Sequence, residues 1–153
     1  MTQEAMLDMM PEIVNKSIDN STLSYVQWKS LVESEGYVMA ADEDFCMEQV
    51  TIEDVGLTIF KYKGDGEFII IPDTIQGVPI TNHISMFEGF SGGNLKGVAS
   101  YNPEVFASAF MFSESRLKSL DLRYYHLGGN LTMNNMFGLA TIGKLDMRHV
   151  DTS

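Results

Sequence analysis

Residues 110–153 read FMFSESRLKSLDLRYYHLGGNLTMNNMFGLATIGKLDMRHVDTS, and two parts of this stretch say nearly the same thing. Leu117-x-x-Leu120-Asp121-Leu122-Arg123 is matched by Ile142-x-x-Leu145-Asp146-Met147-Arg148, position for position, 25 residues later. The pair Met-Phe precedes each of them, at 111–112 and 136–137, and occurs once more at 86–87, again 25 residues away. Self-similarity at a fixed period of this length is the mark of stacked units, each too small to bury its apolar side alone.

Leu120-Asp121-Leu122 alternates apolar and polar, the period of a half-buried strand. Stacking then sets Leu120 beside Leu145 and Leu122 beside Met147. The Met-Phe pairs are expected as short helical turns on the opposite side, with Phe87, Phe112 and Phe137 in a ladder. The first copy is looser. Its counterpart is read as Leu95-Lys96-Gly97-Val98, displaced by a three-residue Ser91-Gly92-Gly93 insertion and lacking the Asp and the Arg.

These motifs resemble the BspA-type leucine-rich repeats of bacterial surface proteins, whose units read L-x-x-L-D-L-S-x-F-D-T-S followed by V-T-x-M-x-x-M-F. Val150-Asp151-Thr152-Ser153 is similar to the F-D-T-S segment, and the run from Gly56 to Phe90 is similar to the hairpin and I-P-x-x-I-x-G-x-P-V-x-x-I entry of such arrays. The resemblance covers about residues 56–153 and departs from the pattern in the first copy and at Tyr124–Asn130. It implies a bacterial or phage origin and a role in displaying a surface to proteins or host matrix. It does not imply catalysis.

The expected fold class is therefore α/β: a short leucine-rich-repeat solenoid of about three 25-residue units, preceded by an N-terminal helical segment and a β-hairpin. Met6, Met10, Ile13, Val14 and Ile18 suggest a first helix, with Pro11 as a break or new start. Asp19–Thr22 offers N-cap residues for a second, with Tyr25, Trp28, Leu31 and Val32 on one side and Gly36 at its end. Ala40–Asp44 reads as an acidic link. The hairpin is placed at Leu57–Tyr62 and Phe68–Ile71 around Gly64-Asp65-Gly66, with Pro72 ending it. This divides the chain into a helical segment over 1–48, serving as cap or attachment element, and the hairpin plus repeats over 49–153. The far end shows no equivalent cap and is read in two ways, as a piece of a longer repeat array or as a natural edge that leans on a partner or a second copy.

Composition sets outer bounds on function. The 153 residues are 44% apolar and 20% charged, as in ordinary globular proteins. A net charge of −11 argues against nucleic-acid wrapping and against anionic membranes. No apolar run is long enough to span a bilayer, and MTQEAMLDMMPEIV lacks the basic start and apolar core of a secretory leader. Cytoplasmic or virion-associated placement is expected, with no membrane insertion. Asn15-Lys-Ser, Asn20-Ser-Thr and Asn130-Leu-Thr fit the glycosylation pattern but stay idle without export.

Catalytic signatures are missing. His83, His126 and His149 lack zinc-site spacing, and no Gly-x-Ser-x-Gly occurs. Cys46 lies between Asp44 and Glu48, with no neighbouring cation in the sequence of the kind that activates a cysteine nucleophile. The glycine pairs are followed by no Gly-Lys-Ser/Thr, and the acidic link lacks the ligand spacing of a calcium loop. No cofactor and no metal are expected, and the chain reads as a non-enzyme.

The candidate contact surface is the outward face of the strands. Asp121 and Asp146 form one row and Arg123 and Arg148 another, about 5 Å apart along the stack. Read plainly, this is a lattice that satisfies its own charges. Read functionally, with Tyr101, Tyr124 and Tyr125 at its edge, it engages a protein partner, because Tyr and Arg are enriched at binding hot spots. The expected function is a non-enzymatic protein-binding or structural module, part of a virion or a cell surface. The alternative is a small acidic inhibitor of a basic, nucleic-acid-binding host surface.

Overall fold

The computed structural model describes residues 23–52, 54–91, 93–126 and 133–148. The first expected helix, the Asp19–Thr22 cap, His149 and the Val150–Ser153 motif lie outside them. The first element among the described residues is helix α1, Tyr25–Ser34. Its start is a capping box one turn later than expected: the Gln27 amide donates to Ser24 Oγ at 3.2 Å and the Ser24 amide to Gln27 Oε1 at 3.0 Å. Gly36, at φ 94°, takes the left-handed conformation that ends it.

Eleven strands follow: β1 Val38–Met39, β2 Phe45–Ile52, β3 Val55–Tyr62, β4 Phe68–Ile70, β5 Thr74–Ile75, β6 Val78–Pro79, β7 Gly97–Ala99, β8 Arg116–Leu117, β9 Leu120–Asp121, β10 Thr141–Ile142 and β11 Leu145–Asp146. Strands β1, β4, β7, β9 and β11 form a parallel sheet in that order, and three two-stranded sheets stand beside it. The expected α/β leucine-rich-repeat solenoid is thus corrected: the described chain is mostly strand, with one short helix, in one parallel sheet and several small ones.

The Met-Phe segments explain why helix content is so low. Met86, Glu88 and Phe90 donate to the carbonyls three residues back, as do Met111, Ser113 and Ser115, and Met136, Gly138 and Ala140. The amides between them point to the next copy: Ser85 to Ala109 O, Phe87 to Met111 O, Phe110 to Asn134 O and Phe112 to Met136 O. Each segment is a chain of reverse turns. Positive φ recurs at Ser85 and Gly89, Phe110 and Glu114, Asn135 and Leu139, where a helix would require negative φ.

The 25-residue spacing is visible in the pairing register. Leu120 opposes Leu145, Asp121 opposes Asp146 and Arg116 opposes Thr141. Isolated parallel bridges join Asn82 to Ala107, Ser91 to Arg116 and Ser100 to Tyr125. The last two keep the 25-residue step on both sides of Ser91–Val98, so the expected three-residue insertion is corrected: a one-residue adjustment at Gly97, opposite Asp121, suffices. The Phe87, Phe112 and Phe137 rings stack with centroids 5.0 and 5.7 Å apart and planes within 6°.

The hairpin is also corrected. Strand β3 pairs over its whole length with β2, Phe45 opposite Tyr62 and Ile52 opposite Val55, while β4 enters the parallel sheet between β1 and β7. The run Phe68-Ile69-Ile70-Ile71 is apolar at every position, which suits a parallel strand covered on both faces. Ile69 and Ile71 face the main core, and Ile70 faces the helix. Strand β2 runs through position 48, where the two segments were expected to divide.

Helix α1 lies on the sheet's second face. Trp28, Leu31 and Val32 pack with Tyr37, Ile70, Ala99 and Tyr124, and with the half-buried Phe68 and Tyr101. The β2–β3 hairpin covers the head of the aromatic ladder, through Phe45 against Tyr62 and Tyr62 against Phe87. Among the described residues no helix is long and apolar enough to cross a membrane.

Candidate functional site

Alternation along β9 sends Leu120 and Leu122 to the core and Asp121 and Arg123 to the opposite face. There the two charges lock together. The Arg123 guanidinium donates Nε to Asp121 Oδ1 at 3.0 Å and Nη2 to Oδ2 at 2.9 Å, and the Arg123 amide donates to Oδ1 at 2.9 Å. The next copy repeats this: Arg148 donates Nε to Asp146 Oδ1 at 3.0 Å and Nη2 to Oδ2 at 2.7 Å. Arg123 Nε also lies 3.8 Å from Asp146 Oδ2, so Arg123 serves its own aspartate and the one ahead. The fork geometry is the bidentate kind that fixes orientation as well as charge.

The surroundings tune these groups. The hydrogen bonds that Arg123 donates to Asp121 raise its guanidinium further above the usual range. Arg148 holds the Asp146 carboxyl below its ordinary value. Burial, and then the negative charge of Asp121, push the Tyr37 phenol well up. Tyr37 Oη donates to the Asp121 carbonyl at 3.4 Å, and Arg123 sits 5.0 Å above the Tyr124 ring. The Asp146 carboxyl is therefore held in its charged form and already matched by Arg148, an arrangement that suits a fixed ion pair better than proton transfer. A cleft of about 240 Å³ is lined by Phe68, Leu120, Lys96 and Lys144 together with Asp121 and Asp146.

The expected contact residues separate into two groups. Asp121, Arg123 and Asp146 are partly accessible, and Arg148 is exposed. Tyr124 and Tyr125 are corrected, because both are fully buried. Helix α1 covers Tyr124, and the main core takes in Tyr125. Tyr101 is half-buried, and its hydroxyl donates to the Leu23 carbonyl beside the helix. No partner-facing tyrosine row remains.

A buried polar cluster had no expectation attached to it. His83 Nδ1 and Ser108 Oγ both meet Tyr125 Oη, the second at 2.8 Å, and His83 Nε2 has no hydrogen-bond partner. Burial pulls the His83 pKa down to about 3. His83 and Ser108 stand 25 residues apart, so the repeat phase alone could have placed them side by side. The imidazole is enclosed in the core, and among the described residues no group of three His, Cys, Asp or Glu side chains is arranged to hold a metal.

The far side of the sheet differs from its interior, copy against copy. Leu120 is 1% exposed, whereas Leu145, its equivalent on β11, is 42% exposed. Phe112 and Leu122 are buried, but Phe137 and Met147 only partly so. Strand β11 is an edge carrying apolar side chains with the Asp146–Arg148 pair alongside.

No family model matches the chain, and no curated protein or solved structure matches it either.

Proposed function

We propose that this chain is a non-enzymatic protein-binding or structural module that receives a protein partner on the β11 side of the sheet. The observation that carries the reading is the contrast between Leu120 at 1% exposure and Leu145 at 42% in the same register. An apolar strand edge rimmed by a fixed ion pair combines the buried centre and polar rim of protein interfaces. The resemblance of residues 56–153 to BspA-type repeats supports the same role, as a component of a cell surface or virion. Asp121 and Asp146 are each locked to an arginine, which leaves them poorly placed for proton transfer to a substrate.

Photo-crosslinking in the native source tests this. A crosslinking residue at Leu145 is expected to give one dominant protein adduct, while the same residue at the exposed Met47 on the hairpin gives none. Adducts at both sites, or at neither, would overturn the proposal. The acidic-inhibitor alternative rests on the net charge of −11. It requires that the adduct weaken steeply with salt and be displaced by nucleic acid.

A further inference from the structure

The register of β9 on β11 specifies the chemistry of what the next strand must offer. Leu120 and Leu122 donate their amides across to the carbonyls of Lys144 and Asp146, each at 2.8 Å, while the Asp121 amide turns back to Lys96 O at 2.7 Å. The same parity aims the Leu145 and Met147 amides away from the sheet. In the turn segment the amides of Phe110, Phe112 and Glu114 cross to the next copy, so their equivalents Asn135, Phe137 and Leu139 point outward too. The open side is therefore a row of backbone donors above the half-exposed apolar positions 137, 142, 145 and 147.

Charge completes the pattern. Arg123 bonds its own Asp121 and lies 3.8 Å from the aspartate one copy ahead. Arg148, with its side chain 68% exposed, bonds its own Asp146 and offers the same second position outward. We infer that β11 binds an extended peptide segment by parallel strand addition, and that the segment carries an apolar–carboxylate–apolar triplet. The two apolar side chains cover Leu145 and Met147, the backbone carbonyls accept from their amides, and the carboxylate takes the outward side of Arg148. Strand addition of this kind draws affinity from the backbone and selectivity from alternate side chains.

A second copy of this chain fits less well. Antiparallel pairing of two β11 edges centred on Asp146 sets each Arg148 opposite the other copy's Lys144, like charge against like, whereas parallel addition keeps for Arg148 the relation that Arg123 has to Asp146. The β1 edge offers Val38 and Met39 with no carboxylate between them. This inference rests on the proposed binding role of the β11 side, and its test is separable from the crosslinking experiment.

The probe is a synthetic peptide of sequence LKSLDLRY, copied from residues 117–124, with LKSLKLRY as its charge-reversed control. Amide spectra of the 15N-labelled chain are recorded during titration. LKSLDLRY is expected to shift the Leu145 and Met147 amides, and to bind at least 5-fold more tightly than LKSLKLRY. In Arg148→Glu the preference should reverse. Equal binding of both peptides, shifts centred elsewhere, or concentration-dependent dimers with no peptide response would each overturn the inference. A crosslinked partner at Leu145 combined with no peptide response would leave the binding role standing and remove the strand-addition mode.

Discussion

Replacing His83 by phenylalanine should flatten the pH dependence of stability between pH 7.5 and 5.0. The imidazole is fully enclosed and its folded pKa is lowered to about 3 by burial. In the unfolded chain it titrates near 6.5, so as pH falls the unfolded state binds a proton that the folded state refuses. A depressed folded pKa means that this contribution is fully present above the unfolded value and is lost on the way down. At pH 5.0 a group with an unfolded pKa of about 6.5 has forfeited about 2 kcal/mol relative to pH 7.5, and the loss continues until the folded pKa is reached. Urea unfolding of the wild type and of His83→Phe at both pH values isolates this contribution. Asp73, whose carboxyl burial raises, and Asp146, held down by Arg148, are common to both proteins and cancel in the comparison. The wild type is expected to lose about 2 kcal/mol more than the variant. At neutral pH the variant removes a buried nitrogen without a partner, an arrangement that itself costs about 1–3 kcal/mol. Equal losses in the two proteins, or an imidazole proton signal that titrates near pH 6.5 in the folded wild type, would refute the reasoning.

Three other substitutions probe the stack itself. Phe112→Ala removes the fully buried middle ring of the ladder and should destabilise by about 4 kcal/mol, whereas Phe137→Ala, half-buried at the open side, should lose only about 1–2, both read by urea midpoints. Leu139 sits at φ 57° with 86% of its surface exposed, so Leu139→Gly should raise stability by about 0.5–1 kcal/mol and lift Tm, since relief of the left-handed conformation exceeds the added chain entropy. At Gly97 a Cβ would lie 2.5 Å from Tyr37 Oη and 2.7 Å from Phe68 Cδ1, so Gly97→Ala should destabilise by about 1–3 kcal/mol and alter the near-ultraviolet dichroism of the tyrosines.

Some of this was legible in the chain and some was not, and the division follows the range of the interactions. The pairing of Leu120 with Leu145 and the facing of Phe87, Phe112 and Phe137 depend only on a constant spacing, which a sequence displays directly. The lattice of Asp121, Arg123, Asp146 and Arg148 is local in the same sense: each arginine reaches back two residues along its own strand, and Arg123 also reaches forward one copy. The strand β2 was hidden because Phe45–Ile52 shows no clean apolar alternation. Strand β3 was legible, but its pairing was not, because a glycine-rich turn after Tyr62 advertises a hairpin with Phe68–Ile71.

The amino-acid sequence by itself determined the period, the register between the second and third copies and which charges would meet, because pairing is made residue by residue at fixed separation. Only the tertiary structure decided which face is covered and which edge stays open. Trp28 and its helical neighbours reach across the sheet to Ile70, Ala99 and Tyr124, a contact between segments of unrelated spacing, and so convert an expected binding tyrosine into core. Burial is a property of what arrives from elsewhere in the chain, and no periodicity in the buried segment announces it.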